Sequence, residues 1–222
     1  MRAIATILFF FAIVSPVWAH EVLGTVEIVL KGEKKKSDLS NVIVYLDQIE
    51  SDANIGANEL KKKFDMATKS KQFTPRALAV PVGAMVNFPN FDPIFHNIFS
   101  VSRPNDFDLG LYKGGASKSK TFDSPGIVRV FCNVHPQMTA TIVVTNSGFY
   151  TTADKKGNFH LGIIPWGSFT VRAYSEEGQT SQRIDVKDQA IHLKLSIDGR
   201  AFKKIKHKNK FGKDYAGEAE RY

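Results

Sequence analysis

From about residue 146 onward, apolar and polar positions alternate. Phe159 and Leu161 share one phase, as do Phe169, Val171 and Ala173, then Ile184 and Val186, then Ile191, Leu193, Leu195 and Ile197. Side chains two apart along an extended chain lie on one face, so this spacing predicts half-buried strands. Upstream, β-rich runs cover Val22 to Leu30, Val42 to Leu46, Ala77 to Val80, Ala84 to Phe88, Asn97 to Val101, Ile127 to Cys132 and Thr139 to Thr145, with Thr121-Phe122 as a shorter one. Gly, Pro, Asn and Asp punctuate them, and short strands so interrupted predict an antiparallel sandwich or barrel. No amphipathic helix of useful length is visible. The stretch 58 to 69 (NELKKKFDMATK) is short and mostly polar, and reads as a helical turn or a loop. The expected class is all-β, with Phe88, Phe91, Phe95, Phe99 and Phe131 in the core.

Four segments follow. Residues 1–19 (MRAIATILFFFAIVSPVWA) join a basic Arg2 to an apolar run, a helix-breaking Pro16 and small residues before position 20, the pattern of a cleaved export signal. The apolar run is short for a membrane span, and no later segment has that character. The chain is therefore expected to be exported, for example to a periplasm. Residues 20–145 form a first β-unit and 146–198 a second. Roughly fifty residues is small for an independent core, so the second is expected to pack on the first. Residues 199–222 carry eight Lys and Arg against three Asp and Glu. They read as a disordered, solubilising tail, or as a contact for an acidic partner or membrane surface.

Composition narrows the chemistry. The 222 residues have a formal net charge of +8, concentrated in that tail. Nucleic acid is not an expected partner of an exported protein. With one Cys there is no internal disulfide and no Cys-rich zinc scaffold, and a lone Cys in an exported chain is accidental, reactive or a metal ligand. Cleavage after Ala19 would leave His20 at the amino terminus, where amine and ring can chelate copper. No second His is assignable to such a brace. His160, His192 and His207 lack partners at metal spacing and read as surface residues.

The stretch Cys132-Asn133-Val134-His135-Pro136-Gln137-Met138 is the most informative. It sets thiolate, imidazole and thioether three residues apart each. Residues three apart on one strand face opposite ways, but a loop between strands can bring all three to one point. His96, paired with Asn97 after an Asp-containing turn, is the candidate fourth ligand. Two His, one Cys and one Met suit a type 1 copper site, with imidazoles and thiolate in a trigonal set and thioether as a weak axial ligand. Soft sulfur favours Cu(I) and the imidazoles accommodate Cu(II), so one geometry serves both oxidation states.

His96-Asn97 followed by C-x-x-H-x-x-M resembles the cupredoxins, and the short gap before Met138 is nearer the amicyanin and pseudoazurin type than plastocyanins with longer ligand loops. The wider runs VGAMVNFPNFDPIFHNIFSV, FDLGLYKGG and SPGIVRVFCNVHPQM resemble exported plastocyanin-like proteins often labelled methylamine utilisation proteins. The resemblance covers about residues 22 to 145. It implies a Greek-key β-sandwich with one copper near one end, held by His96, Cys132, His135 and Met138. It also implies that Asn97 ties the two ligand-bearing loops together and that the edge of His135 is the electron port. Residues Phe149 to Leu195 more weakly resemble carboxypeptidase regulatory-like or transthyretin-like sandwiches, with Trp166 at a place where those more often have Pro or a small turn residue. Such units are usually structural.

The reading is therefore a non-enzymatic carrier of single electrons between redox proteins. The alternative is a periplasmic copper-handling protein (chaperone, store or sensor) with the same ligands. Multicopper oxidases and two-domain nitrite reductases need an H-C-H arrangement, whereas Cys132 is flanked by Phe131 and Asn133.

Overall fold

The computed structural model describes residues 20–48, 62–204 and 207–215. The export-signal pattern lies outside them, as do residues 58–61 of the polar stretch considered above. In chain order the strands are β1 (Glu21–Leu30), β2 (Lys34–Lys35), β3 (Ile43–Gln48), β4 (Phe64–Asp65), β5 (Ala67–Lys69), β6 (Gln72–Thr74), β7 (Ala77–Pro81), β8 (Ala84–Pro89) and β9 (His96–Ser100). They continue with β10 (Phe107–Tyr112), β11 (Ser117–Phe122), β12 (Gly126–Cys132), β13 (Thr139–Thr145), β14 (Tyr150–Thr152), β15 (Asn158–Ile163), β16 (Gly167–Ser175), β17 (Gly178–Val186) and β18 (Ile191–Asp198). The described residues contain no helix, so the chain is all-β, and none of its elements is a helix able to cross a membrane. The described part of the polar stretch is extended, as β4 and β5.

One sandwich packs a five-stranded sheet, ordered β10-β9-β12-β13-β7, against a three-stranded sheet, ordered β11-β8-β4. Phe73, Phe88, Ile98, Phe122, Val130 and Ile142 fill the space between them. The other sandwich sets β15-β1-β18, with β2 on its edge, against β14-β3-β16-β17. Here the N-terminal strands depart from the boundary expected at residue 145. β1 lies between β15 and β18, and β3 between β14 and β16, so Val22, Val26, Ile28, Val44 and Leu46 share a core with Phe169, Val171, Leu193 and Leu195. The cause is size. Some fifty C-terminal residues bury too little apolar surface by themselves, and β1 and β3 supply the central strand of one sheet and an inner strand of the other.

β1 and β18 run parallel at close quarters, and Gly24 makes this possible: a Cβ there would sit 2.2 Å from the Leu193 carbonyl oxygen. A small cluster of Ile43, Ala77, Ala79 and Val143, flanked by Tyr45, Tyr150 and Tyr174, joins the two sandwiches. Ser147 reinforces the joint by donating its hydroxyl to the Leu46 carbonyl at 2.7 Å.

Three expectations are corrected. Phe88, Phe99 and Phe131 are buried, but Phe91 and Phe95 are 67% and 54% exposed on the segment leading into β9. The described part of the basic tail is docked on the first sandwich rather than free: Lys210 Nζ meets Asp108 at 2.7 Å and Tyr215 donates to the Cys132 carbonyl at 2.9 Å. His160 and His192 are exposed as expected, whereas His207 is half-buried against Phe131.

Candidate metal centre

β9 begins with His96 and β12 ends with Cys132. The two strands are antiparallel neighbours with Cys132 opposite Ile98, so the chain just beyond Cys132 passes beside His96. Residues 133–138 then turn back into β13. Cys132 donates its N–H to the Met138 carbonyl at 3.2 Å and Met138 donates to the His135 carbonyl at 3.0 Å, closing the loop, while the ring of Pro136 fixes one backbone angle within it.

Three donor atoms converge. Cys132 Sγ lies 3.6 Å from His96 Nδ1 and 3.8 Å from His135 Nδ1, and the two Nδ1 atoms are 3.2 Å apart. A first-row ion about 2.0 Å from each nitrogen and about 2.3 Å from sulfur, centred in their plane, separates the nitrogens by about 3.5 Å and each from sulfur by about 3.7 Å. The triangle thus has the size a trigonal ion requires. Met138 is 1% exposed in the same core cluster as Cys132, and its backbone closes the loop that carries Cys132 and His135. His96 and Cys132 are fully buried and His135 is half-buried, so His135 is the most accessible of the four proposed ligands.

The surroundings prepare these atoms for a cation. Burial pushes the Cys132 thiol up, but the His96 contact and backbone N–H groups of Asn97, Val134 and His135 more than offset it and hold the thiol below its ordinary value. Burial likewise disfavours an imidazolium at His96, yet Cys132 and Asp92 outweigh that and raise it. His96 Nε2 donates to Asp92 Oδ2 at 2.9 Å, which leaves Nδ1 to face the sulfur. A carboxylate on the far nitrogen of a ligating His fixes its tautomer and raises its basicity.

Asp92 is a residue the sequence reading missed, having counted it only as part of a turn. Its carboxylate accepts the backbone N–H of Ser70 at 2.6 Å and of Lys71 at 3.0 Å. These two form the turn of the β5–β6 hairpin, both with positive φ (55° and 57°), as a two-residue hairpin of this twist demands. Non-glycine residues pay for that conformation, and the two convergent N–H groups it produces are satisfied by one carboxylate. Burial pushes Asp92 up, but these bonds and His96 hold it below its ordinary value.

Asn97 does link the ligand-bearing segments, though through its main chain. Its carbonyl accepts the Asn133 N–H at 2.8 Å and its N–H points at Cys132, while its side chain donates to Asp108 at 2.5 Å. His20 is engaged elsewhere. Its Nδ1 donates to the Lys187 carbonyl at 2.7 Å and its Nε2 accepts from Trp166 at 2.8 Å, so Nδ1 is not free for a copper brace.

No family model matches the chain, and no curated protein does. Among solved structures, it is similar to a copper-containing nitrite reductase from Thermus scotoductus SA-01 at 26% identity, over 37% of this chain and 22% of that one, with a TM-score of 0.36. It is also similar to a purple cupredoxin from Nitrosopumilus maritimus at 22% identity, over 37% of this chain and 100% of that one, with a TM-score of 0.34. A reduced amicyanin variant matches at 22% identity over 46% of this chain and 97% of that one, with a TM-score of 0.36.

Proposed function

We propose that the chain is an exported type 1 copper protein that passes single electrons between redox partners and transforms no substrate itself. The observation that carries this reading is the triangle of His96 Nδ1, Cys132 Sγ and His135 Nδ1, with sides of 3.2 to 3.8 Å. Thiolate with two imidazoles in one plane, and a thioether nearby, is the donor set of a one-electron copper site. When bound, copper supplies the exchangeable electron. The protein supplies a donor set already held in place: three N–H groups on the thiolate, a carboxylate on His96, and a loop closed by its own backbone bonds. Little then moves when the charge changes. Buried His96, Cys132 and Met138 exclude water, and half-buried His135 offers the shortest way out for an electron.

Export rests on the N-terminal signal pattern. The C-terminal sandwich, with its resemblance to carboxypeptidase regulatory-like units, serves in this reading as scaffold. A copper-handling role would use the same ligands but calls for ready exchange, which two fully buried ligands oppose.

The test is to add Cu(II) to the protein and record visible and EPR spectra. An intense thiolate-to-copper band with narrow hyperfine splitting is expected. Cys132→Ser is expected to abolish the band while the far-UV CD spectrum stays that of the parent. A colourless adduct with only nitrogen and oxygen ligands would reject the proposal.

A further inference from the structure

The described part of the C-terminal segment, residues 207–215, lies on the chain segment that carries Cys132 and reaches the one that carries His96 through Asp108. Three anchors hold it. The Tyr215 hydroxyl donates to the backbone carbonyl of Cys132 at 2.9 Å. The backbone N–H of Lys210 donates to the Asn133 side chain at 3.0 Å. The Lys210 ammonium pairs with Asp108 at 2.7 Å, and Asp108 in turn holds the Asn97 side chain. Asn133 and Asn97 are the residues that follow Cys132 and His96, so the segment bonds the neighbour of the first directly and reaches the neighbour of the second through Asp108.

The anchors are presented by a built element. Asn209 caps a turn, accepting at its side-chain oxygen from Phe211 N at 3.0 Å and Lys213 N at 3.1 Å, and it exchanges a further backbone bond with Lys213. The His207 ring stacks on Phe131 with centroids 4.3 Å apart and planes 27° from parallel, on the residue just before Cys132. Tyr215 gives its single hydroxyl proton to the carbonyl, so His207 Nδ1 is the donor, shared between the Lys208 carbonyl at 3.0 Å and the Tyr215 oxygen at 3.2 Å. Among the described residues His207 Nε2 has no partner, and the ring is held there by its stack and by Nδ1. Stacking and a phenol bond converge on residues 131–132, a backbone bond on Asn133, and an ion pair on Asp108, which holds Asn97.

We propose that Tyr215, His207 and Lys210 are positioning residues of the metal centre, forming a clamp that fixes residues 131–135 against β9 and so sets how tightly the ligand triangle is held. The inference rests on the copper reading above. It adds that the basic segment belongs to the centre instead of serving only as a solubilising tail. Their anchors are the Phe131 ring, the Cys132 carbonyl, Asn133 and Asp108, so the clamp acts through the frame that carries the ligands. Freed of it, the loop samples wider geometries, the donor atoms separate more often, and bound metal escapes faster.

The test compares the full chain with Tyr215→Phe, with His207→Phe and His207→Ala, and with a chain ended after Lys206. Far-UV CD and amide exchange within β16 and β17, remote from the clamp, establish that each variant is folded. In the metal-free proteins, exchange of the Val134 and His135 amides is expected to rise about tenfold on truncation, the factor carried by about 1.4 kcal/mol, and by less in Tyr215→Phe. His207→Phe keeps the stack and should retain most of the protection that His207→Ala loses. In the copper-loaded proteins, release of copper to an excess of chelator should accelerate in the same order, with broadened EPR hyperfine features. Variants that exchange and release as the full chain does would overturn the clamp. If the full chain never develops the thiolate-to-copper band, the copper reading fails separately, and exchange in the metal-free variants still decides the clamp.

Discussion

Asp92→Asn isolates the orientation of His96 with almost no change in volume. Three N–H groups point at the Asp92 carboxylate: Ser70 N at Oδ1, and Lys71 N and His96 Nε2 at Oδ2. An amide has one acceptor oxygen and one NH2, so it cannot receive all three. With its oxygen toward His96 and Lys71, the NH2 faces the Ser70 N–H and leaves that donor unsatisfied. With its oxygen toward Ser70, the NH2 faces His96 Nε2 and Lys71 N. His96 must then accept at Nε2 and carry its proton on Nδ1, the atom that faces Cys132 Sγ. The first arrangement costs about 0.5–1.5 kcal/mol, the net worth of one hydrogen bond, because Ser70 sits on an exposed turn where water reaches its N–H. The second blocks a ligand. Loss of a carboxylate partner behind a metal-bound His typically lowers metal affinity by about 10–100-fold. The variant is therefore expected to lose about 0.5–1.5 kcal/mol in metal-free chemical denaturation and to bind copper about 10–100-fold more weakly in competition with a chelator. Copper affinity within about twofold of the parent, in a folded variant, would refute this account of Asp92.

Two further outcomes follow from the same structure. His96 is raised above its ordinary value of 6.5, so in the metal-free protein its imidazolium contributes stability that is present below that value and fades as pH rises through the raised one. Copper must displace that proton from Nδ1, so the increase in melting temperature on adding copper should shrink steadily from about pH 8 to about pH 5; a gain that is flat across this range would contradict the assignment of Nδ1 as donor. Gly24→Ala would place a Cβ 2.2 Å from the Leu193 carbonyl oxygen, forcing β1 and β18 apart at a backbone contact that has no side chain to yield. A loss of about 1–3 kcal/mol is expected in thermal or urea unfolding, without change in the visible spectrum of the copper form, and unaltered stability would show that the two strands are not paired as described.

The sequence was most legible where a pattern is local. Alternation located β15 to β18, and seven consecutive residues carried Cys132, His135 and Met138. Which sheet a strand joins is not local information. Val22, Val26 and Ile28 alternate in the same way whether their partners lie nearby or in β15 and β18, and only burial against Leu193 and Leu195 distinguishes the two. Phe91 and Phe95 misled because an aromatic-rich run reads as core, though both are exposed beside the buried His96. Asp92 went unrecognised because its donors, Ser70 and Lys71, come from a hairpin turn some twenty residues earlier, and main-chain N–H groups leave no mark in a sequence. The C-terminal anchors were hidden by composition: abundant Lys suggests solvent, while Tyr215 and His207 gain meaning only once Phe131 and the Cys132 carbonyl are seen beneath them.

The placement of β1 and β3 makes the sandwich that carries His96, Cys132 and His135 a guest inside a host. Residues 64–145 are threaded between two strands of the other sandwich, whose remaining strands, β14 to β18, are synthesised last. The guest has all its own strands as soon as β13 has emerged, whereas β1 and β3 wait with open hydrogen-bonding edges for partners more than a hundred residues downstream. Assembly of the ligand triangle therefore need not await closure of the host, but a chain cut short before β14 would leave β3 without either of its partners and β1 paired only with the two-residue β2, a template for aggregation.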